Sequence, residues 1–377
     1  MAGSTFGTHF KVTTWGESHG KGIGVVVDGC PAGLPLAASD IQGYLDRRKP
    51  GQSRFSTQRK EDDAVEILSG VFEGKSTGTP ISLMVQNKDQ RSRDYGDIAS
   101  YYRPGHADYT FDMKYGFRDY RGGGRSSGRE TIGRVAGGAI ACKLLKTLGV
   151  SFLTYARAIG PVSIQSSPEE LLHGDLARIQ QQILSNPLYM PEETPAVQAQ
   201  DFLASCMERQ DSAGGVIECM ITGVPAGIGE PVFDKLDANL AKAIFSIGAV
   251  KGFEIGDGFA TAASTGRSNN DGLEAKDGRA AFLSNHAGGI LGGISNGAPI
   301  VFRAAIKPTP SISATQQTVN TSGDPVEISI HGRHDPIIVP RAVVVVESMA
   351  ALTLLDLMIG HMASRTSSLE QFYRDVR

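Results

Sequence analysis

The apolar positions of the chain fall into two alternating patterns, and the whole alternation occurs twice. Short runs bounded by glycines and rich in β-branched residues read as strands. "ESHGKGIGVVVDGCPAG" from Glu17 matches "DSAGGVIECMITGVPAG" from Asp211 without a gap, and both end in G-x-P-A-G. Further on, "GVFEGKSTGTPISLMVQNK" from Gly70 aligns with "GILGGISNGAPIVFRAAIK" from Gly289, which sets Lys88 against Lys307. Each stretch reads as a short strand, a glycine turn and a second strand. After G-x-P-A-G comes "DIQGYLDRR" from Asp40 in one half and "FDKLDANLAKAIF" from Phe233 in the other. Their apolar residues recur at three and four, which predicts helices. Long apolar helix candidates close the halves, near residues 134–148 and 346–363.

Such self-similarity predicts an α+β chain built from a duplicated unit of antiparallel sheet and helices, with halves of about 7–150 and 200–363 related by a pseudo-two-fold. No Pro/Ser-rich linker separates the halves, so one fused domain over 1–377 is expected. Residues 166–194 break the repeat. They are polar, and Ser167-Pro168-Glu169-Glu170 forms a capping signal, which predicts a surface helical insert. The apolar run 342–363 is interrupted by Glu347, Asp356 and His361. It reads as a buried strand and helix, not a membrane span.

Composition narrows the class. A hydrophobic fraction of 40% over 377 residues supports a large core, and a net charge of -3 gives no reason to expect nucleic acid or an acidic membrane as partner. The 46 glycines exceed the usual ~7%. They cluster at "GKGIG", "RGGGRSSG" and "AGGILGGISNG", where backbone can approach a ligand closely. Cys30, Cys142, Cys206 and Cys219 have no C-x-x-C spacing and complete no zinc or other metal site. The N-terminal "MAGSTFGTHFKVTTW" lacks an apolar targeting segment, so a cytoplasmic protein is expected.

Gly16-Glu17-Ser18-His19-Gly20 fits the hydrolase pattern G-x-S-x-G, which needs a strand before the Ser and a helix after it. "KGIGVVVDGCP" follows instead and reads as a strand. The second half keeps Ser212 but has Ala213 in place of His19. Adjacent side chains on extended backbone also point to opposite faces, which argues against a Ser18–His19 pair. A serine hydrolase is therefore set aside. "GKGIG" opens no helix, so it is not a dinucleotide-binding turn either.

Arginines sit among the glycines and turns: Arg47, Arg48 and Arg54 after the first helix, then Arg121, Arg125, Arg129 and Arg134, and finally Arg333 in "HGRHDP", with Lys307 in "KPTPS". A guanidinium fork suits carboxylate and phosphate, and glycine-rich backbone leading into a helix adds N–H donors. His19 and His106 lie in similar loops, placed to protonate an anionic leaving group. The residues alone point to an enzyme that binds a polyanion and uses His acids.

At these motifs the chain resembles the chorismate synthase family. "GESHG", "RRKPGQSRFSTQRKEDD", "RPGHADYTFDMKYGFRDYRGGGRSSGRETIGRVAGGA", "AVKGFEIGDGF", "HAGGILGGISNG", "KPTPSI" and "GRHDP" follow that family's order. The resemblance implies a β-α-β sandwich with internal pseudo-symmetry and a homotetramer. It implies conversion of 5-enolpyruvylshikimate 3-phosphate to chorismate by anti-1,4-elimination of phosphate, the last common step toward the aromatic amino acids. Reduced FMN (FMNH2) is required without net redox change. By the same resemblance His19 would protonate the leaving phosphate, His106 would sit by the flavin ring, and Asp335 would take the proton at the flavin N5 side. Arg48, Arg54, Arg134 and Arg333 would hold the substrate's anionic groups, with Ser18 near its phosphate. FMN would be held by Arg125, Ser126, Ser127, Gly248, Ala249, Gly292, Lys307, Pro308, Thr309, Pro310, Ser311 and Arg333. Gly248 stands where some members carry Asn, and Pro310 replaces a Ser. NADP(H) at Arg48 and Arg54 is a further family association. The sequence shows no separate nucleotide-binding unit, so an external flavin reductase is expected to supply the reduced flavin. The remaining alternative is a flavin- or phosphate-binding relative without activity, against which every catalytic position carries the expected residue type.

Overall fold

The computed structural model describes residues 3–57, 61–88, 97–276, 278–330 and 335–376. The chain opens with β1 (Thr5–Phe6), β2 (Lys11–Gly16), β3 (Gly22–Asp28), helix α1 (Ala38–Arg48) and β4 (Val65–Ile67). A small hairpin, β5 (Val71–Phe72) and β6 (Lys75–Ser76), leads into β7 (Ile81–Gln86). Helices α2 (Asp108–Tyr115) and α3 (Thr131–Thr147) follow. The first sheet runs β1-β2-β3-β7-β4, with every neighbouring pair antiparallel. Val25 and Val27 of "GIGVVVD" are fully buried, which is why the run is a central strand.

The chain continues with β8 (Ser151–Ile159) and β9 (Val162–Ser163), then α4 (Pro168–His173), α5 (Leu176–Ser185) and α6 (Glu193–Glu208). Ser167 caps α4, with Glu170 returning the bond in a capping box. Next come β10 (Gly215–Thr222), α7 (Leu236–Phe245), β11 (Val250–Ile255), a single helical turn α8 (Gly266–Asn269) and hairpin β12 (Leu273–Lys276)/β13 (Arg279–Phe282). A second small hairpin, β14 (Ile290–Leu291)/β15 (Ile294–Ser295), precedes β16 (Ile300–Ile306). Hairpin β17 (Gln316–Val319)/β18 (Pro325–Ile328), α9 (Val339–His361) and α10 (Thr366–Asp375) complete the chain. The second sheet runs β11-β16-β10-β8-β9, again antiparallel. Both sheets share one course: two adjacent strands, a helix, an outer strand, a small hairpin, and a return strand inserted between.

Helices α3 and α9 pack against each other, α3 also against β2, β3 and β7, and α9 also against β8 and β10. Helix α1 lies beside α3, and α7 beside α9. Three glycines let α3 come this close. A Cβ on Gly133 or Gly137 would meet Thr14 Cγ2 or Val12 Cγ1 at 2.9 Å, and one on Gly138 would meet Ser348 Cβ at 2.3 Å.

The run 342–363 contains no strand, contrary to the sequence expectation: α9 is one unbroken helix. Val343, Val344, Val345 and Val346 are each at most 3% exposed. Helices and sheet cover the segment on all sides, so its β-branched preference is overridden by packing. The helix is long and apolar enough to cross a membrane, yet 78% of its apolar window is buried inside the protein. Its charges have partners. Glu347 accepts two bonds of 2.9 Å from Arg47 of α1, and Asp356 collects the backbone N–H groups of Thr8, His9 and Phe10.

Gly138→Val is expected to destabilise the fold by about 3 kcal/mol, because neither helix can yield. Gly43, exposed on α1 with open space around its Cβ position, is the control, and Gly43→Ala should stabilise by ~0.5 kcal/mol. Urea denaturation of both checks this, and equal midpoints would refute the tight crossing.

Candidate active site

A cleft of about 1000 Å³ opens where the N-terminal ends of α3 and α9 meet. Its walls come from both halves: Arg48, His106 and the 122–134 segment from the first, and Ser246–Ala249, Lys307, Thr309–Ser311, Asp335 and the start of α9 from the second.

Ser18 and His19 occupy the turn between β2 and β3, and a strand rather than a helix follows, as the failed elbow predicted. Their side chains nevertheless meet, with Ser18 Oγ 3.1 Å from His19 Nδ1. This corrects the expectation of opposite faces, since that rule holds on extended backbone and this backbone turns. Ser18 Oγ also donates to the Gly122 carbonyl at 3.2 Å. Gly122 (φ +63) lines the cleft, and a Cβ there would stand 2.2 Å from His19 Cε1. Neither Ser18 nor His19 is itself among the residues lining the cleft; His19 packs against the lining Gly122, a fit that exists only because residue 122 has no side chain.

His106 is held at both ring nitrogens, Nδ1 lying 3.0 Å from the Pro104 carbonyl and Nε2 2.9 Å from Ser311 Oγ. A carbonyl only accepts, so Nδ1 carries a proton and Nε2 is the nitrogen presented to Ser311. Lys307 donates to the Gly105 carbonyl at 2.7 Å, and burial followed by the nearby Lys251 pushes its pKa down. Asp335 accepts from the Thr57 N–H at 2.7 Å and from Arg341 Nη1 at 2.5 Å. Arg341 Nε donates at 2.9 Å to the carbonyl of Arg48, tying the end of α1 to the start of α9.

Arg48 is buried in the cleft floor, where burial pushes its pKa down and Asp63 pulls it back. Arg134 bonds Glu130 at 2.8 Å and Ser246 at 2.6 Å. Arg125 reaches Thr14 Oγ1 at 2.7 Å and the Gly16 carbonyl at 3.1 Å, pinning the glycine loop to the end of β2. Ser126, Ser127, Gly248, Ala249, Thr309, Pro310 and Ser311 line the same cleft.

Five predicted residues among those described do not line it: Ser18 and His19, which lie against the lining Gly122, and three more. Arg54 is exposed, its guanidinium lying over the Phe55 ring at 4.6 Å, Gly292 sits in the exposed turn of the β14/β15 hairpin, and Pro308 is exposed. Arg333 lies outside the described residues. Sequence reasoning missed the carboxylates that pair with the arginines: Glu61 and Asp63 with Arg129, Asp108 with Arg103, and Glu130 with Arg134. The acids of "RKEDD" beside a basic stretch were the available signal. Among the described residues no His/Cys/Asp/Glu group is arranged to hold a metal ion.

Guanidinium groups, the His106 imidazole and carboxylates gathered on one cleft of an α+β fold, with a second imidazole, His19, against its lining Gly122, fit an enzyme that binds an anionic small molecule and moves protons. The chorismate synthase family profile matches residues 10–359. A chorismate synthase from Agathobacter rectalis is 63% identical over 99% of this chain and 100% of its own. One from Lachnospira eligens is 64% identical over 99% of the chain and all of its own length. One from Methanosarcina mazei is 54% identical over 95% of the chain and 97% of its own. A solved crystal structure of chorismate synthase superposes with a TM-score of 0.74 at 30% identity, covering 98% of both chains. The chain belongs to the chorismate synthase family, whose members are lyases.

Gly122→Ala is expected to displace His19 and lower kcat about 100-fold, while the strain of alanine at φ +63 lowers the melting temperature by about 5 °C with the protein still folded. Steady-state kinetics beside a melting curve tests it, and wild-type kcat would show that His19 does not act through this gap.

Proposed function

We propose that the cleft carries out the chorismate synthase reaction on 5-enolpyruvylshikimate 3-phosphate. In it a ring C–H bond and the C–O bond to phosphate break on opposite faces and a new C=C bond forms. The observation that carries the reading is Arg48, sealed in the cleft floor with none of its three guanidinium nitrogens hydrogen-bonded among the described residues. A buried cation with open donors needs an anionic ligand.

Arg48 and Arg134 would hold the substrate's carboxylates, joined by Arg333. Arg54 would bear on the substrate only through a movement of its exposed loop. His19, oriented by Ser18, would give a proton to the departing phosphate oxygen. Asp335, fixed by Thr57 and Arg341, would receive the ring proton. Low dielectric around the arginines strengthens their hold on the charge that develops on phosphate.

The residues present fit FMN. Thr309 Oγ1 is buried without a hydrogen-bond partner among the described residues, and Gly248 leaves open space where a Cβ would stand. The volume is at the upper end of small-molecule sites, ~300–1,000 Å³. Arg125, Ser126, Ser127, the Gly248–Ala249 backbone and Lys307 to Ser311 would hold it, with His106 beside the ring. Reduced FMN, when bound, would lend electron density to the substrate as the C–O bond breaks. Arg48 lines the cleft and the exposed Arg54 does not; reduced FMN would be supplied by a separate reductase. A cytoplasmic homotetramer, a pseudo-two-fold between the halves and a single domain with an insert at 166–194 belong to the same reading.

Anaerobic phosphate release with dithionite-reduced FMN, against oxidised FMN, tests it. Chorismate absorbance should appear only with reduced flavin. His19→Ala and His106→Ala should each lower kcat by about 10- to 1000-fold with folding retained, and Asp335→Asn should be impaired while still binding reduced FMN. Both His variants within twofold of wild type, or tight flavin binding without phosphate release, would overturn the reading.

A further inference from the structure

The cleft floor holds a group of charges that the reaction alone does not explain. Arg48 is 1% exposed at the C-terminal end of α1. Its ion-pair partner is Asp63, whose Oδ2 lies 3.5 Å from Arg48 Nη2. The Asp63 carboxylate is fully buried, and its Oδ1 is 3.3 Å from Arg129 Nη1. Neither contact is aligned as a hydrogen bond: both Asp63 oxygens, all three Arg48 nitrogens and Arg129 Nη2 lack hydrogen-bond partners among the described residues. Arg129 is otherwise engaged, its Nη1 2.5 Å from Glu61 and its Nε bonded to Asn87 at 3.1 Å. The backbone at Asp63 has φ +45, a conformation that persists only where surroundings fix it.

A guanidinium keeps its proton inside a protein, so Arg48 cannot escape burial by becoming neutral. It needs a counter-charge. A counter-ion that also filled its donor fork would leave nothing to grip a ligand, and Asp63 supplies the charge without taking the donors. We propose that Asp63 is a positioning residue, the counter-ion that balances Arg48 while also lying beside the Glu61-paired Arg129, and that it leaves the Arg48 fork open for an incoming carboxylate or phosphate. The inference rests on the reading of Arg48 as a substrate ligand. Substrate binding then completes hydrogen bonds to a cation already held in place.

The isosteric variant Asp63→Asn tests this. Without the carboxylate Arg48 is a buried cation with no counter-ion, beside an Arg129 still paired with Glu61, and any anion that reaches Arg48 relieves that imbalance. The melting temperature should fall by about 5 °C, and inorganic phosphate at matched ionic strength should raise it more than in wild type. Phosphate should inhibit the variant about tenfold more tightly, while kcat falls and KM does not rise, because the anion is gripped but misplaced. A merely structural Asp63 would lower stability without tightening phosphate. If Asp63→Asn does not fold, the double variant Arg48→Gln/Asp63→Asn should recover folded protein. Phosphate binding no tighter than in wild type, or a double variant no better than an unfolded single one, overturns the proposal. The melting shift needs no turnover. A phosphate effect in a protein that never makes chorismate would sink the reaction and leave the role of Asp63 standing.

Discussion

The close passage of α3 between the first sheet and α9 is the contact on which the remaining architecture depends. At Gly133 and Gly137 the helix lies against β2, and at Gly138 it lies against Ser348 of α9. Because α3 belongs to the first half and α9 to the second, this contact brings their N-terminal ends together and makes the cleft. Arg134 at the start of α3 and Arg341 at the start of α9 line it. Two partly buried links hold the same alignment: the Arg47–Glu347 ion pair, and the bond from Arg341 to the carbonyl of Arg48. A hydrogen bond from a charged group contributes about 1.5–3 kcal/mol, so these links help hold the halves in register.

The cleft is cationic in composition but nearly balanced in charge. Arg134 is met by Glu130, Arg341 by Asp335, Arg103 by Asp108 and Arg129 by Glu61. Burial and the three bonds from Arg103 act on Asp108 in opposite senses, and its pKa is lowered on balance. Paired cations are already positioned, so a ligand has less side-chain freedom to remove on binding. Arg48 departs from the pattern, since its counter-ion lies close without taking its hydrogen bonds. That difference leaves all three of its guanidinium nitrogens without hydrogen bonds among the described residues.

The sequence alone determined the periodic elements and the family. The repeat was legible because each half must rebuild the same strand, turn and helix from local patterning, and glycine at G-x-P-A-G is demanded by the turn itself. Arginines among glycines made an anion site legible, and the long ordered motifs made the family legible. The tertiary structure decided what depends on surroundings. Val343 to Val346 lie in a helix because packing on every side outweighs β-branched preference. Ser18 and His19 meet because their backbone turns. Ser18, His19, Arg54, Gly292 and Pro308 do not line the cleft although they lie in the family's motifs. Motif membership follows the order of the chain, whereas a place on a cleft wall follows from where distant segments cross. The pairing of Arg48 with Asp63, which lies beyond the next turn and loop, is set by that crossing.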